Sequence, residues 1–217
     1  MTVQKASIEA TTILVTGSTG YIGSRWLADT TLRPRQLSLF ARPGTPAPSM
    51  SGVAVSMREG IIPDTNPEDI LEDVTHVVHL ASRIPTGPDP DEARINREHE
   101  EWAKRLGEAC AERGVALVFV STSSIYAGTD GASLSENTPH IKPQNAYAES
   151  KFRIEETLRM LGKGRGLSFV ILRFGSVFGP APHMHHRTIN LFVRQALSGE
   201  PLSIWRAGVE GVRPYTY

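Results

Sequence analysis

The stretch TILVTGSTGYIG, residues 12–23, decides the fold class of this chain. A short apolar run leads into three glycines spaced G-x-x-G-x-x-G, and a helical pattern begins at Tyr21. The glycines are Gly17, Gly20 and Gly23. Between a strand and a helix, such glycines permit a tight turn, let the backbone approach a pyrophosphate and let the helix pack closely on the strand. The helix N-terminus then offers free N–H groups to an anion. The stretch predicts a nucleotide-binding turn; the alternative is a plain glycine-rich turn.

The rest of the chain alternates short apolar runs with helical patterns. Strands are predicted at 12–16, 36–41, 53–57, 75–81, 115–122 and 167–174. Helices are predicted at 21–31, 67–71, 91–113, 146–161 and 189–197, the fourth of them ended by GKGRG. Apolar strands joined by crossover helices require a mainly parallel sheet covered on both faces. We therefore predict a doubly wound α/β Rossmann domain over 1–180 with strand order 3-2-1-4-5-6, followed at 181–217 by the start of a small substrate-binding region.

Composition excludes several classes of protein. The 217 residues contain 23 basic and 23 acidic side chains, so no basic excess points to nucleic acid or to an anionic membrane. No apolar run approaches the length of a membrane span, and the first ten residues lack the apolar centre of a signal peptide. The single cysteine, Cys110, suits a reducing cytoplasm and is expected to be a buried packing group.

Tyr147 and Lys151 lie four residues apart in AYAESK, on one face of a predicted helix. A free phenol has a pKa near 10, and a neighbouring ammonium favours its ionised form. Such a pair can move the proton of a hydroxyl while a nicotinamide moves the hydride. The alternative is an ordinary helix pair, but its position after the predicted fifth strand favours catalysis.

That fifth strand ends in a run of hydroxyl side chains, STSSIY at 121–126. Side chains at the carboxyl end of a parallel strand face the crevice where ligands bind. A hydroxyl there can hydrogen-bond a reacting oxygen and orient it. Chemistry alone does not say which hydroxyl has this role, since a Ser/Thr turn also caps strands.

The second strand ends in Phe40-Ala41-Arg42, without the acidic residue that would bind a ribose 2′-hydroxyl. A guanidinium can instead pair with a 2′-phosphate. Arg42 therefore favours NADP, with NAD as the alternative cofactor and a solvated loop position as the alternative for the side chain.

Taken together, these motifs resemble the extended short-chain dehydrogenase/reductases, the NAD(P)-dependent sugar-nucleotide epimerase/dehydratase family. TGSTGYIG, HLAS (79–82), STSSIY, YAESK and LRFGSVFGP (172–180) occur in that family's order across essentially the whole chain. The resemblance implies that Thr122 is the catalytic hydroxyl beside Tyr147 and Lys151. It also implies that Asn96 supports the active site.

The resemblance also implies the binding residues. For the cofactor these are Gly17, Thr19, Gly20, Tyr21, Ile22, Arg42, Leu80, Ala81, Ser82, Tyr147, Lys151, Phe174, Gly175 and Val177. For the substrate they are Arg83, Ser123, Ser124, Ser176, His183 and His186.

Four departures from the family pattern bear on the substrate. Ser123 and Ser124 stand where family dehydratases carry an acid pair, which argues against a 4,6-dehydration. Ser176 replaces a family asparagine that touches the substrate phosphate region, and Ala127 is an insertion before Gly128. Arg213 matches a family arginine near the point where this sequence stops, whereas family members continue for roughly a hundred residues more.

PHMHHR (182–187) places His183, His185 and His186 close together. Three close histidines can bind a metal, but no cysteine or carboxylate adjoins them in sequence, so we expect no metal. The resemblance implies that this segment is a loop on the substrate side, and the alternative is a plain exposed loop. His76 and His79, which flank a strand, are expected to be packing or turn residues.

The expected function is an NAD(P)-dependent oxidoreductase or epimerase acting on a secondary alcohol or ketone, of a sugar nucleotide or a related metabolite. Two alternatives remain: a non-catalytic nucleotide-binding module, and an enzyme that keeps the cofactor for non-redox chemistry. The resemblance further implies a homodimer formed through the helices at 91–113 and 146–161, with Trp102 and Phe152 either in that interface or in the core.

Overall fold

The computed structural model describes residues 11–29, 31–32, 34–48, 50, 52–83, 90–129, 134–139, 141–180, 188–204 and 215–216. The strands are β1 Thr12–Thr16, β2 Gln36–Ala41, β3 Ala54–Glu59, β4 His76–His79, β5 Ala116–Thr122, β6 Phe169–Phe174, β7 Ser176–Val177 and β8 Tyr215–Thr216. The α-helices are α1 Tyr21–Asp29, α2 Glu92–Arg113, α3 Ala146–Arg165 and α4 Thr188–Leu197.

β1 to β6 form a single parallel sheet in the order β3-β2-β1-β4-β5-β6. This confirms the predicted doubly wound order. β1 lies at the centre, with Ile13 opposite Leu37 of β2 and His76 of β4. All five of its residues are buried, as expected of a strand covered on both faces. The order reverses between β1 and β4, so the ligand crevice is expected at their carboxyl ends.

Helices cover the two faces of the sheet unequally. On one face, Leu27 of α1 packs with Ile13, Val15, Leu37 and Leu39. On the other face, α2 and α3 pack against each other and on the sheet, and this core is the larger of the two. The deep apolar residues there dominate the stability of the domain, since each fully buried large side chain is worth about 1.5–3 kcal/mol.

Trp102 of α2 is fully buried in this larger core. Its Nε1 donates to the backbone oxygen of Thr65 at 2.7 Å, which satisfies the indole N–H. Of the two places expected for Trp102, the structure therefore shows the core, and a dimer interface cannot use this side chain. Phe152 is half-buried on α3. Cys110 is also fully buried, and burial raises the pKa of its thiol to about 12, as suits a packing group.

The predicted boundary of α3 at residue 161 is wrong. The helix continues through Gly162 and Gly164 to Arg165, and Gly166 ends it in the left-handed region at φ 70°. A Cβ on Gly162 would lie 2.5 Å from Cε1 of Phe169, so this glycine lets the helix approach β6. The segment predicted as a helix at 67–71 is a 3-10 turn, Pro67–Ile70. β3 begins one residue and ends two residues later than predicted, because Met57, Arg58 and Glu59 pair with the end of β2.

The short strands β7 and β8 pair in parallel beside the main sheet. The segments at 181–187 and 205–214 and residue 217, which make up about half of the region predicted to begin a substrate-binding unit, lie outside the described residues. Among the helices that the structure describes, none combines the length and apolar character that a bilayer crossing requires.

Candidate active site

A cavity of about 470 Å³ opens at the carboxyl end of β1, β4 and β5. The described residues that line it come from the glycine turn, the ends of β4, β5 and β6, and the starts of α2 and α3. They are Gly17, Gly20, Tyr21, Ile22, Gly23, Leu80, Ser82, Glu92, Val120, Ser121, Thr122, Ser123, Ser124, Asn145, Tyr147, Lys151, Phe174, Gly175, Ser176 and Val177. The crevice therefore lies where the order of a doubly wound sheet reverses.

The glycine turn fits the pyrophosphate of a dinucleotide. Gly17 has φ 75°, and a Cβ on it would lie 2.6 Å from the backbone nitrogen of Ala81. A Cβ on Gly23 would lie 2.3 Å from the Gly17 oxygen, so α1 can start against the turn only with glycine there. The Ser18 hydroxyl is buried and has no hydrogen-bond partner in the described part of the chain. The turn thus presents backbone to the cavity, as a bound diphosphate requires.

His79 ties the glycine turn to the loop after β4. Its Nδ1 lies 2.7 Å from Oγ1 of Thr16, and that oxygen also accepts the Ala81 N–H at 3.3 Å. The imidazole stacks between Trp102 and Phe119, with centroids at 5.4 and 5.8 Å. Burial above all, then the charge of Lys151 and then His99, hold the pKa of His79 well below 6.5. His79 is therefore a neutral packing residue, as the sequence predicts.

Thr122 ends β5 and caps the 3-10 turn Ser123–Tyr126. Its Oγ1 accepts the Ser124 N–H at 3.1 Å. This bond uses a lone pair of the oxygen and leaves the hydroxyl proton to be donated towards the cavity. Thr122 is thus held in place by local backbone geometry at the wall of the cavity.

Tyr147 and Lys151 project from the first turns of α3 into the same cavity. Asn145 begins this helix, and its Oδ1 accepts the Ala148 N–H at 2.8 Å. The Lys151 ammonium donates to the backbone oxygen of Val120 at 3.0 Å and lies 6.0 Å from the centroid of the Tyr147 ring. Burial lowers the pKa of Lys151 from its usual 10.5 to about 8, although the Glu155 carboxylate opposes this.

The cavity brings together most of the predicted site residues, and the catalytic three are all among them. Thr19, Arg42, Ala81 and Arg83 are described but do not line it. Ala81 lies behind Gly17 through its backbone, while the other three are exposed. His183 and His186 lie outside the described residues.

Sequence reasoning missed two polar residues of the lining, Glu92 and Asn145, and it gave Ser121 no role of its own within the hydroxyl run at 121–126. Glu92 is the first residue of α2, where an acid is usually explained by the helix dipole. Asn145 could have been found as a helix N-cap before AYAESK. Asn96 lies deeper: its backbone oxygen accepts the Ser150 hydroxyl at 3.4 Å, and its buried Nδ2 has no partner among the described residues.

The predicted absence of a metal remains a prediction. In the described part of the chain, no group of three histidine, cysteine or acidic side chains could hold a metal ion. The histidines of the 182–187 segment lie outside that part.

With this fold and this cavity, the chain can be compared with known proteins. The sequence model of the NAD dependent epimerase/dehydratase family matches residues 13–217. The chain belongs to that family, which confirms the resemblance seen in its motifs.

Two curated relatives are similar over much of the chain. An uncharacterized UDP-glucose epimerase of Bacillus subtilis (strain 168), YtcB, is 30% identical over 227 residues, 94% of this chain and 68% of its own length. A UDP-glucose 4-epimerase of Azospirillum brasilense is 30% identical over 186 residues, 78% of this chain and 50% of its own length. The chain therefore spans only about half of some of the relatives that it matches.

Solved structures agree with this placement. The UDP-glucose 4-epimerase of Thermus thermophilus, solved with NAD, superposes with a TM-score of 0.75 at 30% identity over 95% of this chain and 70% of that protein. The match confirms the Rossmann fold. The family is one of nicotinamide-dependent enzymes, but NADP as the first choice of cofactor finds no support here.

Proposed function

We propose that this chain carries the cofactor-binding and proton-transfer machinery of an NAD-dependent sugar-nucleotide 4-epimerase. One observation carries the proposal: Thr122, Tyr147 and Lys151 line the same cavity as the glycine turn. Membership of the family and the epimerases among the relatives support the reaction type.

In the proposed reaction, a sugar hydroxyl lies between Thr122 and Tyr147. The glycine turn would hold NAD, whose nicotinamide would supply reversible hydride transfer with the hydroxyl-bearing carbon, and return of the hydride to the opposite face of the ketone inverts that carbon. Tyr147, as the phenolate, takes the hydroxyl proton as the carbon–oxygen double bond forms and gives it back on return. Thr122 donates a hydrogen bond to the reacting oxygen, so this oxygen stays beside Tyr147 whichever face the ketone presents to the cofactor.

Lys151 has two parts in this proposal. Its ammonium favours the phenolate of Tyr147, since the two share one face of α3 and the wall of one cavity. It also offers its remaining N–H donors to the ribose beside the nicotinamide. The bond to the Val120 oxygen fixes the ammonium to β5, the strand that carries Thr122.

The cofactor is proposed to be NAD. The relative from Thermus thermophilus was solved with NAD, and this supports the choice. Arg42 is exposed at the end of β2. A carboxylate, Glu59, also lies at this edge: it pairs in register with Ala41 and accepts the Gly44 N–H at 3.0 Å. A fluorescence titration with NADH and NADPH tests this choice. If the chain binds NADPH more tightly than NADH, and Arg42→Ala loses that preference, the cofactor is NADP.

The substrate is proposed to be a UDP-sugar, as the names of the relatives suggest. The absence of an acid pair at Ser123 and Ser124 fits epimerisation or ketone reduction, because neither needs an elimination. The observed cavity holds no charged lining side chains in its described part besides Glu92 and Lys151.

In the experiment, the chain is incubated with UDP-glucose and NAD, and the reaction is followed by proton NMR, which resolves the anomeric signals of the two epimers. Wild-type chain should form UDP-galactose. In Tyr147→Phe, kcat should fall about 10²-fold or more, while NADH still binds. Full turnover by Tyr147→Phe would refute the role of Tyr147, and binding of NADH without turnover by the wild type would favour a non-catalytic module.

A further inference from the structure

Glu155 is a fully buried carboxylate that the proposed reaction does not use. It lies on α3, one turn after Lys151 and two turns after Tyr147, so the three side chains follow one face of the helix. A buried charge is strongly unfavourable unless hydrogen bonds and opposite charges compensate it. Its surroundings show how this charge is accommodated.

Three elements supply donors to the two oxygens of Glu155. The Ser121 hydroxyl of β5 donates to Oε1 at 2.5 Å. Arg173 of β6 donates through Nε, 3.1 Å from each oxygen, and through Nη2, 2.6 Å from Oε2. Arg159 of α3 adds a bond from Nη2 to Oε2 at 2.9 Å. The carboxylate therefore joins α3 to the ends of two strands.

The network continues to the turn that follows Thr122. Nη1 of Arg173 donates to the Tyr126 hydroxyl, and its guanidinium lies 5.1 Å from the centroid of the Tyr126 ring. Tyr126 ends the 3-10 turn Ser123–Tyr126, and its hydroxyl donates to the Ser135 oxygen at 2.8 Å. Thr122 is thus held from both sides, because Ser121 precedes it and the Tyr126 turn follows it.

The same carboxylate acts on Lys151 through its charge. Around the ammonium lie Glu155 and Tyr147 from α3, His79 from β4 and His99 from α2. The pKa of His79 and that of His99 are lowered, mainly by burial, so both imidazoles are neutral near pH 7. Glu155 is the group that raises the pKa of Lys151 against the effect of burial.

We propose that Glu155 is a positioning residue of the reaction, which holds Thr122 and Lys151 in register across the cavity and keeps the Lys151 ammonium charged. The inference rests on the proposed function for the roles of Thr122 and Lys151. The contacts of Glu155 themselves are independent of it.

The test compares Glu155→Gln with Glu156→Gln. The control removes the same charge from the next residue of α3, where Glu156 is 54% exposed and pairs with Arg159 at 2.6 Å. In Glu155→Gln, kcat should fall about 10-fold or more, and the alkaline limb of kcat/KM should move to lower pH by about one unit, because Lys151 loses its nearby negative charge. The Glu156→Gln profile should match the wild type. An unchanged alkaline limb in Glu155→Gln would overturn the proposal.

Glu155→Asp covers the case in which Glu155→Gln does not fold. The aspartate keeps the charge but shortens the reach to Arg173, so the alkaline limb should stay in place while kcat falls. A wild-type kcat in Glu155→Asp would overturn the positioning role.

A readout without turnover separates this inference from the proposed function. The 13C NMR shift of Lys151 Cε, assigned with Lys151→Arg, gives the titration midpoint of the ammonium in the cofactor-free chain. The midpoint should be lower in Glu155→Gln than in wild type, and equal midpoints would overturn the charge role. If the two midpoints differ but the wild-type chain does not epimerise UDP-glucose, the proposed function is refuted and the charge role of Glu155 stands.

Discussion

Lys151 is 5% exposed, and its ammonium group lies 4.6 Å from the centroid of the Phe119 ring. Its hydrogen bond to Val120 and the carboxylate of Glu155 offset only part of the free energy of removing the charge from water. The group is charged near pH 7, yet its pKa of about 8 brings the loss of that charge close to physiological pH. A lysine poised in this way suits a residue that must support a neighbouring phenolate.

This burial predicts a pH-dependent contribution to stability. Between pH 8 and 10.5 the unfolded chain binds a proton on Lys151 that the folded chain does not, so the free energy of unfolding should rise with pH in this window. Below pH 8 the cost of the buried charge is present in full. Relative to Lys151→Met, the wild type should gain about 3 kcal/mol across the window. Urea unfolding of both proteins at several pH values measures the difference. If the free energy of unfolding varied with pH in the same way for both, the ammonium would not be buried in solution.

Glu92 predicts which sugars the cavity disfavours. Glu92 lines the cavity together with Thr122, Ser124 and Tyr147, so its negative charge should repel the carboxylate of a uronate substrate. Glu92→Gln should increase kcat/KM for UDP-glucuronate relative to UDP-glucose by about 10-fold, the effect expected of a like charge at moderate distance. The ratio comes from steady-state assays with both substrates.

Glu98→Gln is the matched control for this change. Glu98 lies on α2 and pairs with Arg94 at 2.6 Å, away from the cavity lining. Its substitution should leave the ratio unchanged, and the same ratio in Glu92→Gln as in wild type would remove Glu92 from substrate selection.

Residue types in motifs could be read from the sequence, whereas residues defined by tertiary packing could not. Tyr147, Lys151 and Thr122 stand at fixed spacings in recognisable surroundings, and they line the cavity. Glu155 looks like a solvated helix acid in the sequence, because its partners Ser121 and Arg173 come from other strands. Arg42 was expected near the cofactor from its charge and from its place at the end of the second strand, and it lies outside the cavity lining.

At the scale of elements, α3 shows where local propensity and packing disagree. Gly162 and Gly164 would each weaken an isolated helix, which is why the sequence predicts an end near residue 161. The helix nevertheless continues to Arg165, since Leu161 is buried and the Gly166 N–H bonds back to the Leu161 oxygen. Tertiary contacts with β6 therefore override the two glycines.

The two glycines should respond oppositely to alanine. A Cβ on Gly164 would meet nothing within 4 Å, so Gly164→Ala should stabilise the chain by roughly 0.5–1 kcal/mol. Gly162→Ala should destabilise it by roughly 1–3 kcal/mol, because the new Cβ would overlap the Phe169 ring. Thermal or urea unfolding measures both. Equal effects of the two substitutions would contradict the described packing of α3 on β6.

At the scale of the whole molecule, the strand order was predictable because six apolar runs alternate with helices and right-handed crossovers leave few arrangements. The unequal covering of the two faces of the sheet was not predictable from the sequence. On β6, Val170 is 53% exposed and Leu172 37%, although both lie in a strongly apolar run. An apolar run indicates that a strand can be covered by helices. Only the placement of the helices in the structure shows which residues of that strand are buried.

We propose that this chain epimerises a sugar nucleotide by hydride transfer within one site, with Tyr147 as the acid and base. The most direct measurement follows UDP-glucose deuterated at C4, with NAD and the wild-type chain, by NMR and mass spectrometry of the product. Because the hydride does not exchange with solvent in the proposed reaction, the UDP-galactose formed should keep its deuterium at C4. Replacement of that deuterium by a solvent proton would rule out hydride transfer within one site.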